Sequence, residues 1–245
     1  MFRIALLLFS FTLLQAKNIP LDYSIEFGMF GEIAHTKATL SKKRHSYVLE
    51  VNLSVTHSIA KSMSNNLREQ HISKGHISNG LLITDMFQII TYTDKFTSTS
   101  IYQVDHKKKR IRRQYKKWVK GKKITDKKRV LGYYGRDDLL TFFLNLHEHI
   151  KQKTYSKNYQ FQVIGADNKN GRVDFKIPNK KSMPKLKKLL GTSSNKDWYG
   201  KVTLHRQIYG SKKGEMNIRI DKDGLMQKAI LKDLVLFGDV RIIKK

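Results

Sequence analysis

The chain has 245 residues, 40% of them apolar, so a substantial core is available and global disorder is excluded. Forty-eight basic residues against 20 acidic give a formal charge of +28, far beyond what solubility needs; it points to a polyanionic partner, an anionic surface or a general bias toward lysine. Cysteine is absent, which excludes disulfides, thiolate metal sites, cysteine nucleophiles and an acylated-cysteine anchor.

Residues 1–16 read MFRIALLLFSFTLLQA. Arg3 gives a positive start, Ile4–Leu14 an apolar stretch broken only by Ser10 and Thr12, and Ala16 a cleavage position. This is the layout of a secretory signal peptide, too short for an ordinary membrane span. The expectation is a mature domain of 17–245 with a charge of +27, since only Arg3 is lost, and with no transmembrane segment after cleavage.

Leu21–Phe27 alternates as a strand, with Leu21, Tyr23, Ile25 and Phe27 on one face. Gly28 and Gly31 mark a bend, Glu32–Leu40 resumes the strand, Ser41–His45 is a polar turn, and Tyr47–Val55 alternates again. Ile59–Gln70 reads either as a short helix carrying Ile59, Met63 and Leu67 or as a loop. Ile72–Ile90 holds strand candidates at Leu81–Ile83 and Met86–Tyr92, punctuated by Gly75 and Gly80, and Ser98–Val104 is another.

His106–Arg129 is the most unusual stretch. From Lys107 to Arg129 there are fourteen basic residues and one acid, Asp126, with Tyr115 and Trp118 interleaved. Read as a strand pair at about 101–130, Ile111, Arg113, Tyr115, Lys117 and Val119 share a face. The functional expectation is an anion-binding platform of Lys108, Arg110, Arg112, Arg113, Tyr115, Lys117 and Trp118, in which the cations meet acidic groups and the rings stack. The alternative is a solvated edge, where lysines block strand-to-strand aggregation.

Arg136–Ile150 is the strongest helix signal after the leader. Leu139, Phe142, Phe143, Leu146 and Ile150 fall on one face, Thr141, Asn145 and Glu148 form a polar stripe, and Asp137 or Asp138 can cap the start. Beyond it, Tyr159–Ala166, Arg172–Ile177, Lys201–Tyr209, Glu215–Ile220 and Leu225–Leu231 read as a meander with turns at Asn170-Gly171, Lys213-Gly214 and Asp223-Gly224. Lys180–Leu190 is a lysine-rich link with one helical turn expected. The fold class is therefore mainly β: an antiparallel meander forming an open barrel or clamp, with one buried amphipathic helix at about 137–150.

Three stretches taken together are familiar: Tyr23-Ser24-Ile25-Glu26-Phe27-Gly28 with Gly31-Glu32-Ile33-Ala34, then Asp137-Asp138-Leu139-Leu140, then Leu231-Lys232-Asp233 with Phe237-Gly238-Asp239-Val240. In this order they resemble the DUF3108 family of exported bacterial envelope proteins, over about residues 20–240. The resemblance implies a β-rich protein of the Gram-negative envelope and brings no catalytic residues.

No catalytic constellation is read from the chain. Adjacent Asp137 and Asp138 on a helix point about 100° apart and do not converge as an acid/base pair. His147 and His149 at i, i+2 lack the i, i+4 spacing of a helical metal pair, and His71 and His76 form no motif. Asp221-Lys222-Asp223-Gly224 lacks most of a calcium loop and reads as a turn. Ser58-Ile59-Ala60-Lys61 fits Ser-x-x-Lys, but so do Ser182–Lys185 and Ser193–Lys196, and the companion motifs are absent. No metal and no cofactor are expected. The leading expectation is a non-enzymatic periplasmic binding or scaffold protein engaging an anionic envelope lipid or glycan, or an envelope protein; the leader argues against nucleic acid. The alternative is an envelope hydrolase acting on a glycan or peptide polymer. A third reading is a lipid-chain carrier with a cavity beneath the helix lined by Phe142, Phe143 and Tyr102.

Overall fold

The structure, a computed structural model, describes residues 17–166, 169–205, 214–234 and 238–245. The leader expected at 1–16 lies outside the described residues. So do Asn168, the stretch 206–213 that holds the end of the expected Lys201–Tyr209 strand, and Phe237 of the closing motif.

Strands dominate, as the alternation predicts. The first half runs β1 (Lys17–Pro20), β2 (Tyr23–Phe27), β3 (Glu32–Lys42), β4 (Ser46–Val55), helix α1 (Ser58–Ser64), β5 (Arg68–Ser78), β6 (Leu81–Tyr92), β7 (Thr97–Asp105), β8 (Arg110–Val119) and β9 (Lys122–Val130). The second half runs β10 (Asp137–Asp138), α2 (Leu139–His149), β11 (Asn158–Ile164), β12 (Arg172–Lys176), α3 (Met183–Leu190), β13 (Trp198–Thr203), β14 (Glu215–Ile220), β15 (Met226–Leu234) and β16 (Gly238–Lys244). They form a sheet in the order 10-11-12-13-14-15-16-2-3-4-5-6-7-8-9, with β1 added alongside β3. Every pairing is antiparallel except β10 with β11. The last strand joins the second: β16 pairs β2 through Val240↔Phe27 and Ile242↔Ile25.

The sheet curls without closing. β6 extends beyond β7 at Leu81–Thr84, leaving backbone groups on that side without a strand partner. The other end of the sheet supplies partners. Thr84 N donates to the Arg136 carbonyl at 2.9 Å, and Asn145 on α2 brackets Leu82, accepting from its N at 3.0 Å and donating to its O at 2.9 Å. A buried strand edge must find hydrogen bonds somewhere, and here it finds them in the helix that plugs the curl. The stripe of Thr141 and Asn145 is therefore not a solvent face: the two are 0% and 3% exposed.

On its other flank α2 packs Leu139, Phe142, Leu146 and Ile150 into the main core, formed with β11–β16 and α3. Two smaller clusters adjoin it, one around Leu21, Ala38, Leu40, Tyr47, Leu49 and Leu82, the other around Phe87, Tyr102, Ile111, Leu131, Tyr133 and Ile164. The lysine-rich link forms two turns of helix rather than one. Pro184 sits in the first turn of α3, where its missing N–H costs nothing, and Met183, Leu186 and Leu190 are buried. The ambiguous Ile59–Gln70 stretch divides into a short helix and the start of β5, and Ile59 and Met63 stay exposed instead of joining the core. The two punctuating glycines differ in role. Asn79 and Gly80 both take positive φ and turn the β5–β6 hairpin, whereas Gly75 lies inside β5 at a bulge. Among the described residues, no helix is long and apolar enough to cross a membrane.

Candidate functional site

The basic stretch forms the outermost hairpin, β8 with β9 at the open edge of the sheet. Because side chains alternate along a strand, the expected platform divides. Arg113, Tyr115 and Lys117 share the inner face with buried Ile111, the face on which α2 packs. Arg110, Arg112 and Trp118 lie on the outer face; Trp118 lines a shallow depression there with Tyr92, Phe96 and Lys120. Lys108 sits in the turn between β7 and β8, its N–H bonded to Asp105 at 2.9 Å. That hydrogen bond, with Lys108, Arg110 and Arg112 nearby, holds the Asp105 carboxyl below its usual range.

The three inner-face residues are held in place by their neighbours. The Arg113 guanidinium lies 5.5 Å from the Tyr102 and Tyr115 ring centroids, and its Nη2 donates to Ser100 Oγ at 3.0 Å. Lys117 Nζ lies 4.4 Å from the Phe96 ring centroid. Rings under the cations fix them in place.

Strand register connects this cationic end to an apolar one. Thr36, Leu53, Glu69, Thr91, Ser98 and Lys117 align across β3 to β8; so do Ala38, Val51, His71, Ile89, Ser100 and Tyr115. At the β3–β4 end these rows enter an apolar pocket of about 270 Å³ beneath α2. Leu49, Val51 and Leu53 line it from β4, Leu140, Phe143 and Leu144 from the helix, and Val240 and Ile242 from β16. Of the three residues expected to line a cavity, only Phe143 does so. Phe142 is fully buried in the main core, and Tyr102 packs on Phe87. Phe143 and Leu144, by contrast, are only half-buried.

Between the two ends the row leading to Lys117 is polar, while the row leading to Arg113 passes through the buried rings of Phe87 and Tyr102. His71 Nε2 lies 2.9 Å from Glu69 Oε2, and Thr91 Oγ1 donates to Glu69 Oε1 at 3.1 Å. From β4 to β8 is four strand spacings, roughly 19 Å. Along the Lys117 row the inner face thus passes from Leu53 through Glu69, Thr91 and Ser98 to a fixed cation.

The carboxylates singled out at the helix start have a fastening role. Asp138 is the N-cap of α2: its Oδ1 accepts from Leu140 N at 2.7 Å and Thr141 N at 3.1 Å, and Thr141 Oγ1 returns a bond to Asp138 N. Its Oδ2 accepts from Thr84 Oγ1 at 2.9 Å and from Ser73 Oγ. Burial pushes its pKa up to about 6 against these four donors. Asp137 accepts from Asn145 Nδ2 at 2.5 Å and lies 2.9 Å from His149 Nε2. His147 and His149 point apart as their spacing requires: His149 goes to Asp137, while His147 packs on Trp198 and Gly224. At 0% exposure Asp138 meets no substrate.

A further cluster is not legible as a motif. His76, Asp85 and His106 come from β5, β6 and the turn after β7, and their ligand atoms lie within 4.8 Å of one another. The available signal was Gly75 beside His76 in a strand pattern, since an interior glycine marks a bulge that re-aims a neighbour.

No family model matches the chain, and no curated protein does. Among solved structures it is similar to a β-barrel-like protein of the domain of unknown function DUF1849 from Brucella abortus, with 9% identity, a TM-score of 0.46, and coverage of 94% of this chain and 97% of that one. With no family model matching the chain, the DUF3108 resemblance does not stand. The residues that carried the resemblance do structural work common to curled sheets: Tyr23–Phe27 is a strand, Gly28 and Gly31 take positive φ at a turn, and Asp138 caps a helix.

Proposed function

We propose that this protein is a non-enzymatic binding protein for an anionic amphiphile, holding an acyl chain in the pocket beneath α2 and an acidic head group at Arg113 and Lys117. The observation that carries the reading is the register-aligned inner face, apolar at Leu49, Val51 and Leu53 and cationic four strands away. Ligand sites of this kind join a mostly apolar cavity to a few fixed polar groups. The leader-like residues 1–16 support export, and with it a periplasmic setting in which envelope lipid is the ligand. Met29 and Met63, 90% and 76% exposed, stand at the strand ends near Lys61 and Arg68, a rim suited to resting on an anionic lipid surface.

The test separates head from tail. A fluorescent fatty acid and its methyl ester are titrated into wild type and an Arg113→Glu/Lys117→Glu double variant. Wild type is expected to prefer the acid, and the double variant to lose at least tenfold in affinity for it while binding the ester unchanged. Equal affinities of both proteins for the acid would refute the assignment of the head-group end.

A further inference from the structure

We propose that His76, Asp85 and His106 form a divalent transition-metal site, with Zn²⁺ the best-matched ion. The geometry is nearly made. His76 Nδ1 lies 2.9 Å from Asp85 Oδ1, and His106 Nε2 lies 3.1 Å from the same oxygen. A tetrahedral zinc with bonds of about 2.0–2.2 Å holds its ligand atoms roughly 3.3–3.5 Å apart. These two pairs need to open by only a few tenths of an ångström, and the three atoms are already within 4.8 Å of one another. Two imidazoles and one carboxylate are borderline donors that suit zinc, and three protein ligands leave a fourth position for water.

The backbone builds this arrangement. Gly75 pairs with Thr84 and Lys74 with Met86, so Asp85 is the extra residue of a bulge on β6. A side chain at position 75 would meet the Ile83 carbonyl oxygen at 1.8 Å and Asp85 N at 2.9 Å, so only glycine permits the approach. The bulge brings the Asp85 carboxylate to His76, and the turn after β7 brings His106 beside it, with the two imidazole rings 5.4 Å apart and perpendicular.

His106 also has the outer support that metal-bound histidines use. Its Nδ1 lies 2.7 Å from the Tyr134 hydroxyl. Without metal, Nε2 lies 3.0 Å from the Thr84 carbonyl, which only accepts, so Nε2 carries the proton and Nδ1 accepts from Tyr134. Metal binding requires the other tautomer: the proton moves to Nδ1, and the tyrosine hydroxyl, able to accept as well as donate, keeps the bond and orients the ring. The side chains of His76 and Asp85 are 45% and 47% exposed, leaving the site open to solvent ions. A bound ion would tie three consecutive strands together at the end of the sheet where the basic hairpin begins.

The test is calorimetric titration of Zn²⁺ into the chelator-treated full chain and into His76→Ala, Asp85→Asn and, as a control outside the cluster, His71→Ala. The expected result is one site of micromolar affinity or tighter, weakened at least tenfold by each change in the cluster and unaffected by the control. The visible spectrum of the Co²⁺-loaded protein should show tetrahedral bands that both cluster variants lose. The His76 and Asp85 side chains are about half exposed, so thermal unfolding of these variants without metal should match wild type. Failure of wild type to bind, or binding that survives both substitutions, would overturn the proposal.

Discussion

Asp138→Ala is expected to destabilise the protein by about 4 kcal/mol at pH 7, lowering its melting temperature by roughly 10 °C. The change removes the acceptor for Leu140 N, Thr141 N, Ser73 Oγ and Thr84 Oγ1 at once. Loss of an N-cap alone costs about 1 kcal/mol, and each buried donor left without a partner about 1–3 kcal/mol; relief from burying an ionised carboxylate offsets part of the total. The same residue gives the stability a pH dependence of definite sign. Its pKa rises from 3.8 to about 6 on folding, with burial the main cause. The folded state therefore holds the proton more tightly, so this contribution is fully present below about pH 4 and is lost as pH rises through 6. Two pKa units correspond to about 3 kcal/mol. Asp138→Asn keeps a capping side chain and removes the ionisation. Denaturant unfolding from pH 4 to 7 should then show wild type losing about 3 kcal/mol relative to this variant. Taking the difference cancels carboxylates such as Asp105 and Asp174, whose lowered pKa values act in the opposite sense. Parallel curves for the two proteins would remove Asp138 as the source.

The second large effect concerns the pocket. Val51 is half-buried, lies on the inner face of β4 and lines the space beneath α2. Val51→Trp should fill that space from a side chain with room to turn outward, leaving the melting temperature within a few degrees of wild type. Affinity for both the fatty acid and its methyl ester should fall at least thirtyfold, because the tail and not the head has lost its place. That pattern differs from charge reversal at Arg113 and Lys117, which spares the ester. Retained ester binding in Val51→Trp would put the tail elsewhere.

The sheet was legible because strands with one buried face alternate, and Tyr47–Val55 and Glu215–Ile220 do so plainly. The helix was legible from its period, and its cap from Asp138. What did not show was where each face would turn. Thr141 and Asn145 read only as a polar stripe, yet Asn145 satisfies the unpaired end of β6 and Thr141 meets Thr84 beside it, a requirement created only when the sheet curls. The basic stretch was conspicuous by charge, but alternation divides it between two faces, and only register tells which cations share the inner face with the pocket. The pocket depends on pairs such as Leu53 with Ile242, nearly two hundred positions apart and brought together by β16 closing on β2. The His76–Asp85–His106 cluster rests on a bulge, which shifts register by one residue and so cannot be counted from spacing.

Native mass spectrometry of the full chain, purified gently from an envelope extract of the expressing cells, tests the central claim most directly. The account predicts a mass above that of the bare chain by one acidic acylated molecule, displaced by added fatty acid and absent from Val51→Trp. A bare mass for wild type that stays bare when an acidic lipid is added, or an adduct that persists in Val51→Trp, would contradict it.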